Sequence, residues 1–176
     1  QIYDDMSDFA KYAFNKSHAA AYAVVAYQTA FLKFYYPKEF MAALMTSVMD
    51  NTTKVSEYIL ACRNMGISIL PPDINEGYSG FSVSGNGIRY GLSAIKSVGR
   101  AVVDVIIAER ENGGLFKSLD DFVSRMSNKE VNKRTLESFI KSGALDTLPG
   151  TRKQKLIVSG DLLESKAREK KTVMEG

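Results

Sequence analysis

The chain has 176 residues, of which 45% are hydrophobic and 24% are charged, as in ordinary folded globular proteins. This length suffices for one domain or two small ones with a buried core. Because Cys62 is the single cysteine, the composition excludes an internal disulfide and a cysteine-rich zinc site, and it fits a reducing compartment. The sequence starts at Gln1 with no targeting pattern, so we expect a fragment of a longer protein.

The net charge of +3 is unevenly distributed along the chain. Residues 1–83 contain 6 Lys and Arg against 8 Asp and Glu, which gives −2. Residues 84–176 contain 17 against 12, which gives +5. This modest basic excess is compatible with a nucleic-acid partner but does not identify one.

The first half is predicted to be helical. Ser17 is predicted to cap a helix over residues 18–36, whose apolar composition favours burial on most of its circumference. This segment is too short and too interrupted by polar residues to span a membrane. Pro37 suits the first turn of a next helix. Two further helices are predicted at residues 38–48 and 53–65.

A small β element follows these helices. Residues 67–70 predict a short strand that ends at Pro71-Pro72. Residues 81–83 and 88–90 predict two strands around Ser84-Gly85-Asn86-Gly87, because Asn-Gly tolerates the positive φ of a tight hairpin. The sequence therefore predicts a mostly α fold with a small β-hairpin element.

Residues 88–111 have the pattern of a helix-hairpin-helix. A short apolar helix (Leu92, Ala94, Ile95) is followed by a tight turn and then by an amphipathic helix with an apolar stripe. Amide groups of the turn and of the second helix's first residues then point outward together, at a positive helix end that suits a phosphate oxygen. The turn residues are Lys96, Ser97, Val98 and Gly99, followed by Arg100.

This turn is predicted to bind duplex phosphates without reading bases. The amides of Val98, Gly99 and Arg100 would donate, while Lys96 and Arg100 add positive charge. Gly99 has no Cβ, so the backbone can approach a ligand closely. The alternative is that this hairpin only packs against protein.

A second copy follows at a distance of 45 residues, where Ile95-Lys96-Ser97 recurs as Ile140-Lys141-Ser142. Helices at residues 116–126 and 131–141 precede it, and two such hairpins packed together form a stable unit. Lys141, Ser142 and Gly143 are thus further candidates for DNA binding. The turn's terminal glycine is missing from this copy, which therefore suits the structural half of the pair.

Taken together, these motifs resemble the bacterial replicative DNA polymerases of the C family, the DNA polymerase III alpha subunits, over about residues 5–152. The resemblance is carried by Phe14-Asn15-Lys16-Ser17-His18-Ala19-Ala20-Ala21-Tyr22, Ala26-Tyr27-Gln28-Thr29, Tyr36-Pro37-Lys38-Glu39-Phe40-Met41-Ala42-Ala43, Leu70-Pro71-Pro72-Asp73-Ile74-Asn75, Tyr90-Gly91-Leu92-Ser93-Ala94-Ile95-Lys96-Ser97-Val98-Gly99 and Ser142-Gly143-Ala144-Leu145-Asp146.

The resemblance implies three regions: a late fingers subdomain (1–83), a tandem helix-hairpin-helix unit (84–150) and a charged helical tail (151–176). It implies a cytoplasmic parent enzyme, with no membrane partner, that extends primers with deoxynucleoside triphosphates. Its Mg²⁺ ions would be bound outside this fragment, which should hold no catalytic or metal-binding residue. The implied partners are duplex primer-template DNA, the dNTP, the sliding clamp and other replisome subunits.

Lys16-Ser17-His18 is the candidate nucleotide site. From the residues alone, Ser17 is a helix cap and His18 a helix-end residue. The resemblance to polymerase fingers instead implies that Lys16 and His18 contact the triphosphate, with Ser17 behind them. Two alternatives to a polymerase fragment are a non-enzymatic DNA-binding module with the same hairpins and a protein-binding scaffold in a replisome.

Overall fold

The computed structural model describes residues 2–4, 6, 16–126 and 131–174, without the side chains of residues 167 and 169–174. The chain divides into two compact units, residues 1–40 and 41–176. As predicted, the described residues are mostly helical and include a small sheet. The predicted region boundaries after residues 83 and 150 both fall inside the second unit, and they stay predictions.

Helix α1, Lys16–Tyr35, forms most of the described part of the first unit. Its residues are largely exposed and none is buried, so the predicted burial on most of its circumference is wrong. Tyr22 and Phe34, for example, are 63% and 77% exposed. The helix itself carries apolar side chains around most of its circumference, and no other element in the described part of this unit covers them.

Helix α2, Pro37–Ser47, begins at the predicted proline. Helix α3, Thr52–Asn64, is capped by Asn51, whose side-chain oxygen accepts a hydrogen bond from the Lys54 amide at 3.1 Å. Gly66 follows the helix with a φ of +74°, as expected for a residue that reverses the chain there. The boundaries predicted from the sequence are thus confirmed to within about one residue.

The sheet contains β1 (Ser68–Leu70), β2 (Ser82–Ser84) and β3 (Gly87–Arg89) in the order β1-β3-β2. Strands β2 and β3 form the predicted antiparallel hairpin, with Ser84 opposite Gly87. Strand β1 pairs in parallel with β3, which sequence patterns had not indicated. Gly87 permits this pairing, because a Cβ there would lie 2.6 Å from the Ser68 carbonyl oxygen.

The first helix-hairpin-helix begins with a single 3-10 turn, Leu92–Ala94, rather than the predicted short helix through Ile95. The amides of Leu92 and Ser93, which have no acceptor within this turn, donate to the carbonyls of Tyr78 and Ser79. Helix α4, Arg100–Gly113, follows as predicted. Its stripe is buried, with Val103 and Ile106 fully inaccessible.

Helices α5 (Leu119–Met126), α6 (Lys133–Ser142) and α7 (Arg152–Met174) complete the second unit. Helix α5 is capped by Ser118, whose Oγ accepts a hydrogen bond from the Asp121 amide at 3.0 Å. The core of the two hairpins is continuous, and Phe122 lies at its centre with edge-to-face contacts to Phe116 and Phe139. The second repeat therefore packs against the first.

The segment at residues 70–75 joins the sheet to both hairpins. The Asn75 side chain makes two hydrogen bonds to the backbone of Phe116, at 2.9 Å and 2.8 Å. The buried Arg110 guanidinium donates to the carbonyls of Ile74 and Gly77 at 3.1 Å and 3.0 Å. The Ile74 amide donates to Ala144 at the second hairpin. This sequence motif is therefore a structural link that fixes the hairpins relative to the sheet.

Candidate nucleic-acid interface

The first hairpin turn, residues 96–99, presents its polar groups to solvent. Lys96, Ser97, Gly99 and Arg100 are exposed, whereas Val98 is 7% exposed and packs into the core. The Val98 side chain thus fixes the turn to the core, while the neighbouring residues are exposed to solvent. The sequence predicted this set of residues but not their division between anchor and surface.

The amides at the start of α4 have no acceptor in the described protein. Gly99 is the N-cap residue and supplies no side-chain cap, and no described oxygen accepts from the amides of Gly99, Arg100 or Ala101. No acidic residue lies in the first turn of this helix. The unsatisfied donors and the helix dipole therefore favour an anion at this end.

The predicted contribution of the Val98 amide needs correction. This amide donates to the carbonyl of Ile95 at 3.1 Å, which closes the turn. It is therefore already used within the protein, and the outward-facing donors begin one residue later. The spacing of turn residues in the sequence does not show which amide closes the turn.

Gly99 is a glycine that the fold itself does not require. Its φ of −81° is available to any residue, and a Cβ built there would meet no protein atom within 4 Å. The open space lies beside the unpaired amides of α4. Gly99 thus leaves room for an external group to approach the backbone, as its position in the sequence predicted.

A cross-repeat contact holds the first hairpin turn. Ser97 adopts a positive φ of 69°, which is uncommon for a residue with a side chain. Its Oγ accepts a hydrogen bond from Arg134 Nε of α6 at 3.2 Å. The two residues lie 37 positions apart in the sequence. No sequence signal gave this contact.

The second hairpin turn, residues 143–146, uses its amides internally. The amides of Gly143 and Ala144 cap α6 by donating to Ile140 and Phe139, and the Asp146 amide donates to Gly143. Gly143 itself is buried with a φ of +88°. Its backbone therefore offers a ligand fewer free donors than the first turn does.

The side chains of the second copy are also engaged. Lys141 Nζ forms an ion pair with Glu137 at 2.8 Å, and Ser142 Oγ donates to the carbonyl of Phe139 at 3.0 Å. The Lys141 ammonium, mainly through its hydrogen bond, lowers the pKa of the Glu137 carboxyl. Lys141 is exposed, but its charge is partly neutralised by this partner.

Arg152 fills the space beside Gly143. Its Nε donates to Asp146 Oδ1 at 2.9 Å, and its Nη1 donates to the Lys141 carbonyl at 3.3 Å. The hydrogen bond from Arg152 lowers the pKa of the Asp146 carboxyl. A Cβ at Gly143 would collide with Arg152 Nη2. In this copy a protein cation thus occupies the space beside the glycine of the turn.

The two copies of the Ile-Lys-Ser motif meet at one cleft. The inter-hairpin cleft has a volume of about 600 Å³, and its lining includes Lys96 and Ser97 of the first copy with Lys141 and Ser142 of the second. The structure therefore brings together four of the predicted DNA-binding residues. Gly99, Arg100 and Gly143 are not part of this lining.

The predicted nucleotide-site residues lie at the start of α1, in the first unit. Lys16, Ser17 and His18 are all exposed, and no acidic residue lies in this first turn. Ser17 is inside the helix, so its predicted role as the cap is wrong, because the helix already includes Lys16. The His18 ring lies 4.4 Å from the Tyr22 ring, centroid to centroid.

No group of three or more His, Cys, Asp or Glu side chains within the described residues is placed to hold a metal ion. None of the helices described combines the length and apolar character that a membrane span requires.

The chain belongs to the helix-hairpin-helix motif family, which it matches over residues 66–155. Within that class it is similar to one particular protein, DNA polymerase III subunit alpha. It is 54% identical to the Vibrio cholerae protein over 149 residues, 84% of this chain and 13% of the relative. It is 50% identical to the Deinococcus radiodurans protein over 167 residues, which is 95% of this chain and 12% of the relative. It is 45% identical to the Chlamydia trachomatis protein over 175 residues, which is 99% of this chain and 14% of the relative.

The resemblance to bacterial DNA polymerase III alpha subunits that the sequence motifs predicted is thus confirmed. The chain spans only 12–14% of the length of these three relatives.

Proposed function

We propose that this chain is a segment of a DNA-directed DNA polymerase of the DNA polymerase III alpha type. Its first hairpin turn holds duplex primer-template DNA by the phosphate backbone, without reading bases. The observation that supports this most is the set of unpaired amides at the start of α4, beside a glycine that the fold does not need. The similarity to alpha subunits supports the parent activity.

Binding in this arrangement depends on backbone donors and on charge. The amides of Gly99 and Arg100 donate to phosphate oxygens, and the exposed Lys96 and Arg100 side chains neutralise phosphate charge. None of these groups distinguishes one base from another. A polymerase requires this property, because it must move along any sequence.

Salt-dependent binding of the 176-residue chain to a fluorescein-labelled duplex tests the proposal. Each phosphate contact contributes a slope of about −0.9 to log K against log salt. Lys96→Gln should reduce the slope by about one contact. The matched control is Lys117→Gln, which removes an exposed lysine outside the first hairpin turn. A salt-independent affinity, or equal effects of the two variants, would contradict the proposal and favour a protein-binding scaffold.

The start of α1 is proposed to contact the incoming dNTP. Lys16 supplies charge to the triphosphate, His18 a possible proton donor, and Ser17 a hydroxyl next to both. This role must be tested in the full-length parent enzyme, because the Mg²⁺ ions are proposed to bind outside this segment. The sliding clamp and other replisome subunits are likewise proposed partners of the parent. Lys16→Ala should lower kcat/KM for the nucleotide, with Lys33→Ala on the same helix as control. Equal kcat/KM values for the wild type and Lys16→Ala would refute this role.

A further inference from the structure

The inter-hairpin cleft is larger than binding of a single phosphate requires. Its apolar lining includes Pro72, Tyr90 and Ile95, of which Pro72 and Ile95 are buried and Tyr90 is partly buried. The Tyr90 ring is fixed by an edge-to-face contact with Phe81, at 4.8 Å between centroids. A volume of about 600 Å³ with a rigid aromatic wall suits a small planar group.

Polar groups complete the lining. Thr52, Ser138 and Ser142 contribute hydroxyls, and Lys96 and Lys141 contribute ammonium groups. Among the described residues Lys96 has no ion-pair partner, whereas Lys141 is paired with Glu137. The cleft thus combines an apolar surface, hydroxyl oxygens that can accept hydrogen bonds, and one cation without an ion-pair partner among the described residues. The Ser138 and Ser142 hydroxyls already donate to carbonyls of α6.

These features match the parts of a nucleotide. An apolar surface with an aromatic ring accepts the face of a base, hydroxyl oxygens accept hydrogen bonds from its edge or from the sugar, and a lysine neutralises a phosphate. Lys96 belongs both to the cleft and to the first hairpin turn. A strand whose backbone is held at that turn therefore lies next to the cleft.

We propose that the inter-hairpin cleft binds one unpaired nucleotide of the DNA strand whose phosphates are held by the first hairpin turn. This inference rests on the proposed function, because the strand must first be bound at that turn. A paired base is excluded from the cleft since its edge and both faces are already occupied in the duplex. An acidic peptide is disfavoured, because it would meet only one unpaired lysine among the described lining residues.

Fluorescence anisotropy of the 176-residue chain with two labelled DNAs tests the proposal. One is a blunt duplex, and the other is the same duplex with a short single-stranded overhang. The overhang should increase affinity about 5-fold or more, the lower end of what stacking of one base on an aromatic ring provides.

Ser138→Phe fills the cleft without changing charge. Ser138 lines the cleft, and its hydroxyl donates only to the carbonyl of Arg134 in its own helix, at 3.0 Å. This variant should bind the blunt duplex as the wild type does and lose the preference for the overhang. Ser165→Phe is the matched control, because Ser165 also donates to its own helix, at 3.0 Å, and lies outside the cleft. Thermal unfolding confirms that both variants are folded.

The outcomes separate the two proposals. Salt-dependent binding of the blunt duplex with no overhang preference would overturn the cleft assignment and leave the proposed function intact. Failure to bind either DNA would overturn the proposed function itself. The cleft assignment would also be overturned if Ser138→Phe kept the overhang preference. It would be overturned as well if a glutamate-rich peptide abolished this preference while the blunt duplex still bound. Loss of the overhang preference in Ser138→Phe, with the preference retained in Ser165→Phe, supports the cleft assignment.

Discussion

Replacing Gly99 with aspartate should raise the stability of the fold and lower its affinity for duplex DNA. Gly99 is the N-cap of α4, its backbone angles (φ −81°, ψ 152°) suit an N-cap side chain, and a Cβ there meets no protein atom. The new carboxylate would accept hydrogen bonds from amides of the first turn that have no acceptor in the wild type. The same atoms would then be unavailable to a phosphate.

The two effects differ in sign and in size. Compared with glycine, an aspartate N-cap adds about 0.5 kcal/mol from capping and the helix dipole, which raises the Tm of a chain of this length by about 1–2 °C. Losing a hydrogen bond to a charged phosphate costs about 1.5–3 kcal/mol, and this corresponds to about 10-fold or more in Kd. Most substitutions lower stability, so a higher Tm together with a weaker affinity distinguishes a capped α4 from a damaged fold.

Circular dichroism melts and duplex-DNA anisotropy at several salt concentrations measure both effects. Gly99→Ser is the neutral comparison and should show a similar rise in Tm with a smaller loss of affinity. Asn51→Asp is the charge-matched control, because Asn51 already caps α3 and the change adds the same negative charge outside the first hairpin turn. A folded Gly99→Asp variant with wild-type affinity and salt slope would refute the role of the α4 amides. A lower Tm would refute the cap geometry.

Other parts of the structure give three further predictions. Asn75→Ala removes both hydrogen bonds to the Phe116 backbone and should cost about 1–3 kcal/mol, a Tm lower by about 3–8 °C, while Asn64→Ala at the exposed end of α3 should have little effect. Lys155→Met leaves the carbonyls of Leu145 and Leu148 without their donor, and urea unfolding should show a loss of about 2 kcal/mol. Burial lowers the pKa of Lys155, so the unfolded chain binds more protons at this group and the wild type should gain stability relative to Lys155→Met as the pH rises toward 10. A stability difference between the two proteins that falls over this range would contradict this. Because Arg152 lowers the pKa of Asp146, the stability from this pair is present above about pH 4 and is lost as the pH falls further, so Asp146→Asn should lose less stability than the wild type in acid melts.

Local patterns predicted the elements that local interactions determine. The stripe on α4 is buried at Val103 and Ile106 because helical spacing places these residues on one face. The Ser84–Gly87 hairpin forms as predicted, but Gly85 takes the positive φ of its turn, and not the Asn-Gly pair from which the hairpin was predicted. Long-range contacts were not predictable in this way. The parallel pairing of β1 with β3 and the link from Asn75 to Phe116 join residues that no local pattern relates.

The candidate interface shows the same division. Residue types and spacing identified the first hairpin turn, and they predicted that the amides of Val98, Gly99 and Arg100 donate to a ligand. In the structure the Val98 amide closes the turn, so only the amides after Val98 are available. The exposure of α1 was missed because an apolar helix indicates burial only if another layer covers it. The hydrophobicity of a helix indicates that its side chains are more stable when buried, but it does not show whether other elements of the chain cover them.

The comparison of the two hairpins gives a physical reason to place DNA at the first. Both contain Ile-Lys-Ser, but the repeat conserves only the residues that enter or border the shared core and cleft. Beyond the motif, the amides of Gly143, Ala144 and Asp146 donate to carbonyls of α6 and of the second turn, and Arg152 fills the space beside Gly143. The first turn leaves both its amides and the space at Gly99 open. The second copy thus uses most of its turn amides within the protein, whereas the first leaves exposed donors from which a phosphate can accept.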